Sequence, residues 1–458
     1  MSQTRVSSSG AYLNILGNLV GSIGPAAISL LTGIYLDNSN YVEFTYKFSV
    51  ASILTIMCFE WARLLFGSLI LEGEPYRVIQ IIVATNSVMA SLALVIIYFY
   101  GGVAGPIVSS LPILLLYCLG SASADHLVYL DRLLGSSLAA LYVQIAKALM
   151  ITIPVIFALV VFGTSQGVWT LLGFGGVLSL AMVSFLTKPW TAKRGDFALF
   201  AQPHLRLRAV TFGAVAIPNI LAVFGERIVL IALLPSSFAP GYLFAIDVAF
   251  RIYSIYGGAV SNYFLSLRRQ NRFGSRNIVI YGSLQVLPAV VFGALLPVFQ
   301  SDLIRLIYSA SQKQVSPMAL SLSLCYGTLY LLRNMLFEAI FFAAGNPRQM
   351  VNNSLLVLGC SSAVWISAYV LDIPFLSAFG GVIGNSVAIG LSFYLLRSEK
   401  YIGPLAFACV IVLVTIAGQA VFGALSPLSV SPVVAVVAFG VCIAAFCVGF
   451  AMLIRCVR

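Results

Sequence analysis

Residues 345–397 read GNPRQMVNNSLLVLGCSSAVWISAYVLDIPFLSAFGGVIGNSVAIGLSFYLLR. Two apolar runs, near 350–371 and 375–396, flank a short turn that contains Pro374, and a basic residue stands outside each far end, Arg348 and Arg397. A helix needs about 20 mostly apolar residues to cross roughly 30 Å of hydrocarbon. Each run meets that length, and the proline breaks any single continuous helix between them. The stretch therefore predicts a hairpin of two membrane-crossing helices with both basic ends on the same side.

The same ruler, carried outward along the chain, gives fourteen candidate spans. They lie near 11–35, 41–70, 79–100, 105–124, 134–162, 167–187, 208–234, 240–267, 277–299, 316–343, 350–371, 375–396, 402–424 and 432–454. The connections are short and rich in Gly, Pro, Asn or Ser, such as GGVAGP and LSPLSVSP. None is long enough for a separate soluble domain. The first run is too long for the apolar core of a signal peptide and is expected to be a retained span. The predicted class is all-α integral membrane, with an N-terminal six-helix lobe over 1–190, a C-terminal six-helix lobe over 208–397 and an extra helix pair over 402–458. A count of twelve helices is the alternative.

Composition agrees. Of 458 residues, 60% are hydrophobic and 9% charged, with a mean hydropathy of +1.03. Soluble domains carry about 25% charged residues, so a water-soluble globule is excluded. Disordered and collagen-like chains are excluded too, because 38 Gly and 18 Pro are dispersed and aromatics make up 12%. The net charge of +11 might suggest nucleic acid, but the cations do not gather on a folded basic patch. With the N-terminus placed in the cytoplasm, 17 of the 25 basic residues fall in cytoplasmic connections and two, Arg305 and Lys313, fall opposite. That asymmetry supports the span count and the orientation. The basic run near 188–207 divides the lobes and suits anionic lipid headgroups.

Six basic residues remain inside spans: Lys47, Arg63, Lys147, Arg227, Arg251 and Arg333. Glu60, Glu226, Asp247 and Glu338 accompany them. Charges at such depth are costly against lipid, so each should face a partner, the bundle interior or water. At about 1.5 Å rise per residue, Lys47, Glu226, Arg227 and Asp247 sit roughly 10 Å below the outer surface. Lys147 and Arg251 lie near the midplane. Asp247 and Arg251, four apart, and Glu60 and Arg63, three apart, share a helix face and can simply neutralise each other. Lys147 has no acid within a turn, and Arg333 has none three or four residues away. An isolated cation at depth implies water or an anionic ligand, and the arginine fork suits phosphate or carboxylate. Lys47, Lys147, Arg227, Arg251 and Arg333 are thus the candidate substrate-binding residues. Asp247, Glu226 and Glu338 are candidate ion-coupling groups. A cationic cavity favours an anionic, amphipathic cargo such as a polyprenyl-pyrophosphate-linked sugar.

Enzyme chemistry finds no foothold. The eight Cys sit in or beside apolar runs without metal-ligand spacing. His126 and His204 lie in or beside connections, far apart in sequence. There is no phosphate-binding glycine loop, HExxH or nucleophile triad. No catalytic residue, metal or cofactor is expected, nor a nucleic-acid partner.

The 345–397 stretch resembles the multidrug/oligosaccharidyl-lipid/polysaccharide (MOP) exporter superfamily. The likeness lies in a small turn plus base, an Asn-bearing span, a Pro turn and a G-x-x-G-small helix, here Gly381, Gly384, Asn385 and Ser386. Gly-Phe-Gly-Gly at 173–176 is a weaker first-half counterpart, and the segments from Tyr41 and Tyr242 are loosely alike. The first turn, GIYLDNSNYVEF, lacks the Arg and Gly that members often carry there. Within the superfamily the polysaccharide-unit (O-antigen-type) flippase branch fits best. The resemblance implies two rocking lobes that move a polyprenyl-pyrophosphate-linked oligosaccharide across a bacterial inner membrane, and the charge asymmetry with an even span count places both termini in the cytoplasm. It also implies the lipid bilayer and polysaccharide polymerase machinery as partners. Two other readings stand beside it. One is a multidrug/toxin cation antiporter of the same fold, although 11–35 holds no acidic residue and the excess intramembrane charge is basic. The other is a membrane polymerase or glycosyltransferase acting on lipid-linked sugars, which would need a larger outer loop.

Overall fold

The computed structural model describes residues 8–56, 137–187, 203–269, 301–343 and 347–396, with separate helical residues within 113–127 and 281–287. All regular structure among them is helical. The long helices are α1 (Ser8–Tyr35), α2 (Asn38–Thr55), α3 (Ser137–Val161), α4 (Ser165–Thr187), α5 (Pro203–Leu233) and α6 (Ala239–Arg269). They continue with α7 (Pro317–Tyr330), which runs through a π-helical segment, Leu331–Phe337, into Glu338–Ala343. Then come α8 (Pro347–Val370), a 3-10 turn (Pro374–Phe379) and α9 (Gly380–Leu396).

Length and apolarity explain these elements. Five helices among the described residues are long and apolar enough to cross a membrane: Leu141–Val161, Ser165–Leu186, Ala214–Leu233, Arg348–Val370 and Pro374–Leu396. Between 33% and 56% of each apolar window is buried within the protein, so much of its greasy surface faces outward. Val160, Phe185, Tyr369 and Val370 are among the large exposed apolar side chains. In water such faces would be unstable; against lipid tails they are at home. Helices α2 and α6 are interrupted by charged and polar residues, α7 and the apolar part of α1 (Leu19–Tyr35) are too short, and none of the four is among the five.

The turns follow their local chemistry. Asp37 caps α2, its carboxylate accepting from the Asn40 amide at 2.8 Å. Ser316 caps α7 by accepting from the Ala319 amide, with Pro317 in the first turn, where its missing N–H costs nothing. Between α8 and α9, Asp372 takes a left-handed backbone (φ 53°) and Pro374 opens the 3-10 turn. This is the hairpin that 345–397 predicts. Pro25, Pro154 and Pro218 lie inside α1, α3 and α5. Each withholds a backbone donor, which membrane helices tolerate when neighbours supply the missing bonds.

The chain divides into two compact units at Ile228/Val229, within α5. In the first, α3 packs between α1 and α4, and α2 lies against α4. In the second, α6 packs on α7, and the α8–α9 hairpin packs on α7 through α9. Small residues make these approaches possible. A Cβ on Gly384 would stand 2.4 Å from Ser361 Oγ and 2.8 Å from the Val357 carbonyl oxygen. In the first unit, a Cβ on Gly120 would fall 2.2 Å from the Gly176 carbonyl oxygen. The two glycine motifs noted in the sequence are therefore both helix-crossing points. The span halves carrying Glu60 and Arg63, and the 402–458 pair, lie outside the described residues.

Candidate functional site

Several of the charges within the apolar helices have polar partners, and those of Lys147 and Arg333 are ones that linear spacing does not reveal. Arg333 is fully buried on the π-helical segment of α7. Its Nη1 donates to Glu338 Oε1 at 2.9 Å, and its Nε donates to Asn385 Oδ1 on α9 at 2.7 Å. The Asn385 amide nitrogen in turn donates to the Gly381 carbonyl at 2.7 Å. Arg333 therefore differs from the expectation of an isolated cation. The reason is local geometry. In an α-helix, residues five apart point about 140° from each other. The π turn, in which the Glu338 amide bonds back to the Arg333 carbonyl, brings i and i+5 onto one face. The i±3 and i±4 rule could not see this pair. Half of the G-x-x-G-small motif is explained as well, since Gly384 admits α8 while Asn385 holds the guanidinium.

Lys147 also departs from its expected isolation. Its ammonium, only 10% exposed, contacts Asp125 Oδ1, whose side chain is 46% exposed. Asp125 precedes it by 22 positions and comes from a different helical segment, so only tertiary packing joins them. Asp125 carried no sequence signal, because it stands at the edge of an apolar run and reads as a loop acid. Lys47, buried on α2, pairs with Glu43 at 2.6 Å one turn earlier and donates to Gln166 Oε1 on α4 at 3.4 Å. Glu43 stands four residues before Lys47 and so shares its helix face.

Arg227 and Glu226 are both buried in α5. The Arg227 guanidinium lies 4.7 Å from the centre of the Phe224 ring and donates to the Val223 carbonyl at 3.4 Å. Phe224 neighbours Phe48, which neighbours Trp169, so an aromatic chain joins α2, α4 and α5. Trp169 has no exposed surface and packs within this chain. Asp247 and Arg251 stand one turn apart on α6, both partly exposed. Lys313, expected in an outer loop, is instead 1% exposed, 5.9 Å from the Phe244 ring centre. Sequence reasoning missed this buried cation because its flanks are polar. The described candidates thus fall in both units: Lys47, Lys147, Glu226 and Arg227 in the first, Asp247, Arg251, Arg333 and Glu338 in the second.

Among the described residues all regular structure is helical and charged groups are sheltered within long apolar helices, the arrangement of a multi-pass membrane protein. Its fold is similar to those of solved transporters of the MOP superfamily. The lipid II flippase MurJ, in its inward closed conformation, matches with a TM-score of 0.59 at 13% identity over 98% of this chain and 99% of its own. A MOP superfamily transporter from Pyrococcus furiosus matches with a TM-score of 0.58 at 12% identity, covering 87% of this chain and 96% of its own. A MATE transporter from Vibrio cholerae gives 0.56 at 14% identity, covering 87% and 100%. At these identities the likeness is one of fold. No protein-family model matches the sequence, and no curated protein does.

Proposed function

We propose that the chain is a flippase that carries a polyprenyl-pyrophosphate-linked oligosaccharide across a bacterial inner membrane for surface polysaccharide synthesis. The observation that carries this reading is the extent of the fold match. The flippase neighbour spans 98% of the chain, whereas the multidrug transporters span 86–87%. The difference is about the size of the 402–458 segment, which this reading assigns to an extra helix pair beyond the lobes 1–190 and 208–397. The sheltered cations support the same cargo. Lys47, Lys147, Arg227 and Arg251 provide positive groups for a pyrophosphate inside helices that otherwise suit lipid, while Arg333, fully buried and held by Glu338 and Asn385, supports the site from behind. Sugar and phosphate need such groups because hydrocarbon cannot solvate them. Asp247, Glu226 and Glu338 are the acids available for coupling to an ion gradient. Both termini lie in the cytoplasm in this reading, and a polysaccharide polymerase takes the product.

A strain lacking the protein tests the reading. It should accumulate completed lipid-linked units on the cytoplasmic leaflet and lose surface glycan. Flipped but unpolymerised units would identify a polymerase instead. Unchanged glycan with new sensitivity to organic cations would identify a multidrug antiporter.

A further inference from the structure

We propose that Asp125 is the displaceable counter-ion of an oxyanion site built by Lys147 and Gln144, and that the pyrophosphate of the cargo takes its place. The inference rests on the flippase reading and assigns roles to two residues that the reading leaves out.

An ammonium has three donors. Among the described residues Asp125 is the acceptor for Lys147, which leaves donors unused on a side chain that is 10% exposed. One turn earlier on α3 stands the amide of Gln144, a side chain only 6% exposed. That amide lies directly against α1: a Cβ on Gly21 would stand 1.8 Å from Gln144 Oε1. The absent side chain at Gly21 is thus what leaves room for the amide. Further along the helix the Thr152 hydroxyl is buried and without a hydrogen-bond partner among the described residues. Buried donors left unused are costly. The spare donors of Lys147 and the Gln144 amide, one turn apart on α3, together offer a charged and a neutral donor to an acceptor-rich ligand. A phosphate-type group supplies several charged acceptors at once.

Asp125 is suited to stand in and then leave. A buried ammonium with no counter-charge would be strongly unfavourable, so the empty site needs a carboxylate. The Asp125 side chain is 46% exposed while paired, so it can leave Lys147 without vacating a closed pocket. The incoming anion exchanges one acceptor for several without leaving Lys147 unneutralised. Cargo binding and release of Asp125 are then the same event.

The test uses the full chain in nanodiscs, with farnesyl pyrophosphate as the probe. Inorganic pyrophosphate and phosphatidylglycerol serve as comparison anions. Asp125→Asn should bind farnesyl pyrophosphate about tenfold more tightly than the wild type, the scale expected when a competing charge is removed from a sheltered pair. Asp125→Glu should bind as the wild type does. Lys147→Gln should weaken binding by about tenfold, and adding Asp125→Asn to it should restore nothing. Gln144→Leu should weaken binding in the Asp125→Asn background. Equal tightening for inorganic pyrophosphate upholds headgroup recognition, and tightening for the farnesyl probe alone upholds a lipid-borne source. Equal tightening for phosphatidylglycerol overturns selection of the pyrophosphate. Binding by the wild type that Asp125→Asn weakens or leaves unchanged overturns this inference alone. No binding of farnesyl pyrophosphate by the wild type overturns the flippase reading and the inference together.

Discussion

Arg333 shows how a membrane interior manages a charge. Its guanidinium has no exposure, so lipid and bulk water are both beyond its reach, and Glu338 and Asn385 supply the acceptors. Removing one partner of a buried pair leaves the other charge uncompensated at a cost of about 3–5 kcal/mol. Arg333→Ala should therefore markedly lower the thermal stability of the detergent-purified protein. A joint Arg333→Met and Glu338→Leu replacement should recover much of the loss, because no lone charge remains. Lys47 is a different case. Its partner Glu43 is half exposed, so Lys47→Gln should change stability by less than Arg333→Ala, while reducing surface glycan if Lys47 meets the cargo. Export assays at matched protein levels separate these effects.

At the scale of the element, the π segment and the glycine crossings matter most. Such segments often arise where one extra residue is accommodated in a helix, and they recur at functional sites. Deleting Asn334 would make Glu338 the i+4 neighbour of Arg333, so an ordinary α-helix could keep the pair. The expected outcome is a folded, membrane-inserted protein with impaired export. Normal export would show that the π turn merely accommodates the pair. The α8–α9 hairpin depends on close approach. Gly384→Ala places a Cβ against the Val357 carbonyl, and overpacking of this kind costs about 1–3 kcal/mol. Folded yield and melting temperature should both fall. An added Ser361→Ala change should relieve only part of the defect, because the backbone oxygen stays in place.

For the whole molecule, the distribution of basic residues predicts the topology. Fluorescent-protein fusions at either terminus should fold and fluoresce in the cytoplasm, and alkaline phosphatase fused at either should be inactive. Activity of the phosphatase at the C-terminus alone would point to an odd number of spans. The two-unit division of the chain within α5 places charged candidates in each unit. Under the flippase reading, variants from both units, such as Lys147→Ala and Arg251→Ala, should reduce surface glycan.

The amino-acid sequence by itself determined the membrane class and nearly all the described helix positions. Apolar runs of bilayer length and the breaking effect of Pro374 are local properties, legible without knowing what each helix touches. It also marked the buried Lys47, Lys147, Arg227 and Arg333 and the glycine motif of α9, because charges and clustered small residues inside apolar runs stand out against their background. Only the tertiary structure decided the partners. Asp125 reaches Lys147 from another helical segment, Arg333 meets Glu338 through a π turn that breaks the ordinary helical period, and Lys313 is buried beside Phe244 despite its polar flanks. Pairing depends on which faces meet in space, and a linear pattern records the period of a helix without recording its neighbours.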